Sequence, residues 1–234
     1  MRIYTIAALL PALLLMGYIY QQDQIEKEPP QLLARLLLLG GGGSVIVSIA
    51  LETVLGNLLD AFYNPMFDYY IYHFLLAFVC VACVEEGSKL YFLKRISWTS
   101  PHFDFLFDAV VYSAFVSLGF AAIENVRYVF SYGLVAALGR AITAVPAHLC
   151  FSILMGVFYG RSRDCFIHGN QVGKQRNLFC AFFVPTLVHG FYDYCLMLDS
   201  TLSHWVFLIF TGLMFLLIYR LLHAAARADR PIYR

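Results

Sequence analysis

Charge is what this sequence has least of. Only 13% of its 234 residues are Asp, Glu, Lys or Arg, against 61% hydrophobic, and the mean hydropathy is +0.71. Soluble domains carry roughly a quarter charged residues, so this composition excludes an ordinary soluble protein and indicates a polytopic membrane protein. An excess of positive charge is missing too. Sixteen basic and fifteen acidic residues leave a net charge of +1, which offers nothing to a nucleic acid. Proline-rich linkers, internal repeats and detached polar segments are absent, so residues 1–234 read as one integral-membrane domain with a motif core at 80–195. The six cysteines lie mostly in apolar runs, which argues against a disulfide framework. Cys80 and Cys83, one turn apart, read as small helix-packing residues rather than a redox or zinc pair.

What is present is apolar length. About 20 apolar residues cross a bilayer core of roughly 30 Å. On that criterion seven spans are expected, at 3–20, 32–55, 71–93, 107–131, 139–160, 178–198 and 205–222. The fold class is therefore all-α, a polytopic helical bundle of about seven transmembrane helices. The first span is followed by Gln21-Gln22-Asp23 rather than a small-residue cleavage site, so it reads as a retained helix. Gly40 to Gly43 are expected to bend or break the second span unless a neighbour packs on their bare backbone. Lys and Arg collect in the 94–106 and 161–177 loops and at Arg220, Arg227, Arg230 and Arg234, whereas 56–70 and 199–204 hold none. The positive-inside rule puts the first three, with the C-terminus, in the cytoplasm and the N-terminus outside. Arg2 argues mildly against that last placement.

Against this background a few polar residues stand out inside the spans: Glu85, Glu86 and Lys89; Glu124 and Asn125; His148; His189 with Asp193. At 1.5 Å per residue they lie about 9–20 Å from the outer boundary of their helices, which brings four helices to one polar layer. Glu85 with Lys89, and His189 with Asp193, are four apart and share a helix face. Asp193 is placed to orient the His189 ring. Glu85 and Glu86 point about 100° apart, which predicts different roles, with Lys89 holding one of them. Each feature alone has a bland reading: a neutralised pair, an interhelical hydrogen bond or an interfacial Glu124-Asn125-x-Arg127. The convergence of carboxylates and imidazoles does not. Gly156-x-x-x-Gly160 reads as helix packing.

Two hydrolytic routes are open to such a set. A glutamate can act as general base on water while histidines stabilise the oxyanion. Alternatively one zinc ion can activate the water, with His148, His189, Glu86 and Glu124 as its candidate ligands. H-E-x-x-H is absent, so a metal would need ligands from separate helices. G-x-S-x-G is absent as well, and Asp108 and Asp193 lie at different depths, so serine and aspartyl chemistry fit poorly. A proton-coupled carrier or a binding scaffold remains the alternative to an enzyme, although the two matching halves common in carriers are not seen.

The motifs carry a resemblance. EEGSK (Glu85 to Lys89) resembles the E-E-x-x-K signature of the PrsW family of intramembrane proteases. FDAVVYSAFVSLGFAAIENVRY (residues 107–128), with Phe120, Glu124 and Asn125, resembles that family's second block. Arg140 through Gly156, with His148, resembles the third, and HGFYD, from His189 to Asp193, resembles the last. The family is similar to the CAAX-prenyl-type endopeptidases. The resemblance implies a catalytic set of Glu85, Glu86 and His189, with Glu124, His148 and Asp193 completing the pocket. It implies a metallo- or glutamate-type protease of the bacterial inner membrane, so the metal stays open. The implied partners are the lipid bilayer and a single-pass membrane protein substrate, such as an anti-sigma factor, cut near its extracytoplasmic side.

Overall fold

The computed structural model describes residues 2–63 and 69–233. Residues 64–68, part of the 56–70 stretch that holds no Lys or Arg, lie outside them, as do Met1 and Arg234. Among the described residues seven helices are long and apolar enough to cross a membrane. We label the helices α1 (Arg2–Gln22), α2 (Pro30–Phe62), α3 (Tyr69–Ser97), α4 (Asp108–Tyr132), α5 (Leu134–Ile142), α6 (Ala144–Ile167), α7 (Gln171–Met197) and α8 (Thr201–Arg227). The protein is an all-α integral membrane bundle.

The apolar segment expected at 139–160 is built from two helices, α5 and α6, which break at Thr143. Pro146 explains the break. It lies in the first turn of α6, where its missing N–H is tolerated, but it could not continue the ladder of α5. The second span does not break at its glycines. Leu36–Gly41 forms a wide π-helical stretch inside a helix that continues to Phe62. A second such stretch, Leu76–Ala82, ends immediately before the turn that carries Glu85 and Glu86. Widened turns of this kind often mark functional sites, because they re-aim the side chains that follow.

α4 is the axis of the bundle: 78% of its apolar window is buried, against 22% for α1 and 28% for α8. Lipid gives helices no hydrophobic reason to associate, so close backbone approach must supply the attraction. The glycines provide it. A Cβ on Gly41 would lie 2.8 Å from the Gly119 Cα, and one on Gly119 would lie 2.6 Å from the Leu37 carbonyl oxygen. Here α2 and α4 touch backbone to backbone. Gly156 does the same against Val110, which seats α6 on α4, and Gly160 approaches the Leu106 carbonyl just before α4 begins. Gly190 of α7 leaves room for the Phe78 ring from the π stretch of α3.

α1 docks on the same axis through Ala8, Ala12, Met16 and Ile19, and the Asn125 amide donates to the Ala8 carbonyl at 2.9 Å. The C-terminal segment folds back on the 98–107 loop, where Leu106 N donates to Arg230 O and Ile232 N to Asp104 O.

Candidate active site

Four helices project polar side chains into the space beside α4. Glu85, Glu86 and Lys89 come from α3, Glu124 from α4, His148 from α6, and His189 with Asp193 from α7. Lys89 is at the centre and fully buried. Its Nζ donates to Glu85 Oε2 at 2.9 Å, to Glu86 Oε1 at 2.8 Å and towards His148 Nδ1 at 3.2 Å, while it lies 4.1 Å above the Phe120 ring. Positions three and four before a lysine are both within its reach on a helix. The expectation that Lys89 holds one glutamate therefore changes: it holds both.

The two glutamates differ in what else they meet. Glu86 Oε1 also accepts from His189 Nδ1 at 2.8 Å, and Glu86 Oε2 is buried without a partner. Glu85 borders a polar cavity of about 500 Å³. His189 Nε2 lies 3.2 Å from Asp193 Oδ2, so carboxylates face both ring nitrogens and both N–H groups of an imidazolium would be satisfied. Phe151 stacks on the same ring, with centroids 4.5 Å apart and planes 17° apart. Its orientation is fixed from both edges and one face.

His148 Nδ1 faces an ammonium, so it accepts, and Nε2 then carries the hydrogen that reaches Glu124 Oε2 at 3.1 Å. Its own backbone is held too, since the Ser117 hydroxyl donates to the His148 carbonyl at 2.9 Å. Glu124 is held in the same network. Arg140 Nη2 donates to its Oε2 at 2.6 Å and Arg140 Nε to Asn125 Oδ1 at 3.3 Å, with the guanidinium 3.9 Å over the Tyr128 ring. All eight polar residues singled out from the sequence thus belong to one connected network.

Three contributors escaped sequence reading. Arg140 looked like a boundary residue of a span; its signal was an arginine near an intramembrane carboxylate. Phe151 gives no signal apart from the fold. Glu52 of α2 lines the cavity alongside Glu85, and it is an ionisable residue in an apolar run, the same signal that exposed the others. The cavity extends from the cluster to Ser131 and Tyr132 at the end of α4 and to Leu196 and Met197 at the end of α7.

This fold and site define a class: a polytopic membrane protein with an enzyme-like cluster of carboxylates, imidazoles and an ammonium at the base of a polar cavity. The sequence profile of the PrsW family intramembrane metalloproteases matches residues 28–222. Curated relatives called protease PrsW include those of Clostridioides difficile (33% identical, covering 82% of this chain and 78% of that protein) and Oceanobacillus iheyensis (34%, covering 95% and 94%). The relative from Bacillus subtilis is 29% identical, covering 90% of this chain and 88% of its own. No solved structure matches. The chain belongs to the PrsW family, and it is a protease.

The family description raises the question of a metal. Glu85, Glu86 and His148 each offer one ligand atom, all within 4.8 Å of one another, a hard-and-borderline donor set that zinc accepts. That set is not the one expected from sequence. Of His148, His189, Glu86 and Glu124, only Glu86 and His148 belong to it. The Lys89 ammonium already lies against Glu85, Glu86 and His148. With Lys89 among them, these residues do not fit a metal ion.

Proposed function

We propose that this chain is an endopeptidase that cuts a single-pass membrane protein, such as an anti-sigma factor, near the extracytoplasmic surface of a bacterial inner membrane. The observation that carries the reading is the division of labour around Lys89. Glu85 is the glutamate that borders the cavity. It takes the proton of a water that attacks the scissile carbonyl, and later returns it to the leaving amine. Glu86 is fully buried and tied to Lys89 and His189, so it positions rather than reacts. His189, its imidazolium held between Glu86 and Asp193, sets a positive charge beside the developing oxyanion, and His148, held by Lys89 and Glu124, lines the same cavity. The cluster excludes bulk solvent, which strengthens each of these interactions.

The cavity and the loop charges support that place for the cut. Its far end is formed by residues 131–132 and 196–197, next to the 199–204 loop that has no Lys or Arg. The positive-inside rule assigns that end to the outside and the C-terminus to the cytoplasm. Cleavage would then fall on the extracytoplasmic side.

The test is cleavage of single-pass substrates in proteoliposomes, with products read by mass spectrometry. Glu85→Gln and His189→Ala are expected to lower kcat by at least about 10²-fold while the helical fold and detergent-solution size stay unchanged. Full activity in both variants overturns the mechanism. The same reactions with a strong chelator are expected to proceed at the control rate, because no step is routed through a metal. Activity lost to chelator and restored by zinc would instead require Lys89 to leave the cluster.

A further inference from the structure

The carboxylates of the cavity are spoken for, with one exception. Lys89 holds Glu85, Arg140 and His148 hold Glu124, and His189 faces Asp193. Glu52 Oε1 is buried and has no hydrogen-bond partner. An unsatisfied buried acceptor is unfavourable enough to ask what it is kept for. Glu52 stands on α2, which contributes no residue to the cluster described above.

Its location supplies the answer. A second, mainly apolar space of about 150 Å³ lies between α2 and α4, lined by Val45, Ser48, Ile49, Phe120 and Ile123. Glu52, Glu85, Glu124 and Arg127 line both this slot and the main cavity, so the two spaces meet at these residues. Ile49 and Ile123, each 42% exposed, carry the slot to the outer, lipid-facing surface of the bundle. A side opening between lipid and Glu85 is therefore guarded by one carboxylate with a free oxygen and by Arg127, an exposed cation.

A transmembrane substrate arrives as a helix with all its backbone groups paired. Its scissile peptide becomes accessible only when a turn unwinds, and each amide N–H so released finds no water in the hydrocarbon region. An acceptor waiting at the entrance offsets that penalty. We infer that Glu52 is the substrate-binding residue of this protease, its carboxylate accepting backbone N–H groups of the unwound substrate strand as it passes from the α2–α4 slot to Glu85. Arg127, at the same junction, donates to the carbonyls that the same unwinding frees. This inference rests on the proteolytic reading above, but it concerns binding and can be measured without cleavage.

The experiment uses the full-length protein in lipid nanodiscs, in a Glu85→Gln background, with a fluorescent synthetic transmembrane peptide as the probe. Glu52→Leu is expected to weaken binding by about 10- to 100-fold, the scale of a hydrogen bond to a charged group, and Glu52→Gln, which keeps an acceptor oxygen, to recover most of it. The loss should be the same for peptides with different side chains around the unwinding site. It should vanish for a hydrocarbon-stapled peptide that cannot unwind. In the Glu85-intact enzyme, Glu52→Leu should raise KM with kcat nearly unchanged. Unaltered affinity in Glu52→Leu overturns the inference, and so does a loss confined to peptides bearing Lys or Arg, which would make Glu52 a receptor for a basic side chain. If the intact enzyme cuts nothing yet Glu52 still governs binding, the proteolytic reading falls and this one stands.

Discussion

At the scale of single residues, the site is organised by an ammonium ion. Removing one partner from a buried ionic network is strongly unfavourable, because the remaining charges have neither water nor a counter-ion. Lys89→Met should therefore destabilise the protein by about 3–5 kcal/mol in detergent unfolding experiments. The triple variant Glu85→Gln, Glu86→Gln, Lys89→Met, which removes both signs together, should regain most of that stability while remaining inactive. If Lys89→Met unfolds like the parent protein, the ammonium is not the keystone inferred from its three contacts at 2.8–3.2 Å. The sequence exposed this part well, since a carboxylate or lysine in an apolar run needs a reason to be there. It could not show that Lys89 binds both glutamates, because reach within a helix allows either pairing. The partnership of Arg140 with Glu124 depends on the turn between α4 and α5, which no spacing rule supplies.

At the scale of elements, contact between α2 and α4 decides whether Glu52 and the slot exist at all. That contact is bare backbone at Gly41 and Gly119. Gly41→Val should force the helices apart, with a stability loss of about 1–3 kcal/mol from overpacking and a weaker affinity for substrate. Gly17→Ala is the matched control, because nothing lies within 4 Å of the added methyl. Its thermal unfolding midpoint should be unchanged or slightly raised, in line with the better helix propensity of alanine. Equal behaviour of the two variants would mean that α2 is held elsewhere. The glycine run was visible in the sequence as a weakness in a helix. Its tolerance is explained by Gly119, nearly eighty positions further on: a neighbour packing on the bare backbone was the stated exception to a bend, but local reasoning could not name that neighbour.

At the scale of the whole molecule, the protein has a reactive end and an anchoring end. At the latter, the 23–29 segment, the 98–107 loop and the C-terminal segment meet. Glu28 accepts from the Tyr112 hydroxyl at 2.7 Å, and Asp229 Oδ1 accepts from Phe107 N at 2.9 Å. Burial pushes the Glu28 carboxyl up to about 7 and the Asp23 carboxyl up to about 6. Each holds its proton more tightly in the folded state than in the unfolded one. Their contribution is thus complete below the unfolded carboxylate range, about 4, and is lost as pH rises through about 6 to 7. Hydrogen exchange at the Leu106 and Ile232 amides, corrected for intrinsic rates, should show more protection at pH 5.5 than at pH 7.5. Glu28→Gln should flatten that dependence. A pH-independent wild-type pattern would sever the link between these carboxyls and the junction.

What the sequence determined by itself was the number of membrane-crossing helices and which polar residues inside them gather into one cluster. The physical reason is that a bilayer makes both signals loud: apolar length is obligatory for crossing, and every ionisable residue within it is expensive. Only the tertiary structure decided how the charges pair, that a lysine rather than an open space lies among Glu85, Glu86 and His148, and that Glu52 lines the cavity beside Glu85. Those outcomes depend on helix rotation and on backbone distances set by glycines far apart in the chain, and a one-dimensional pattern holds no record of either.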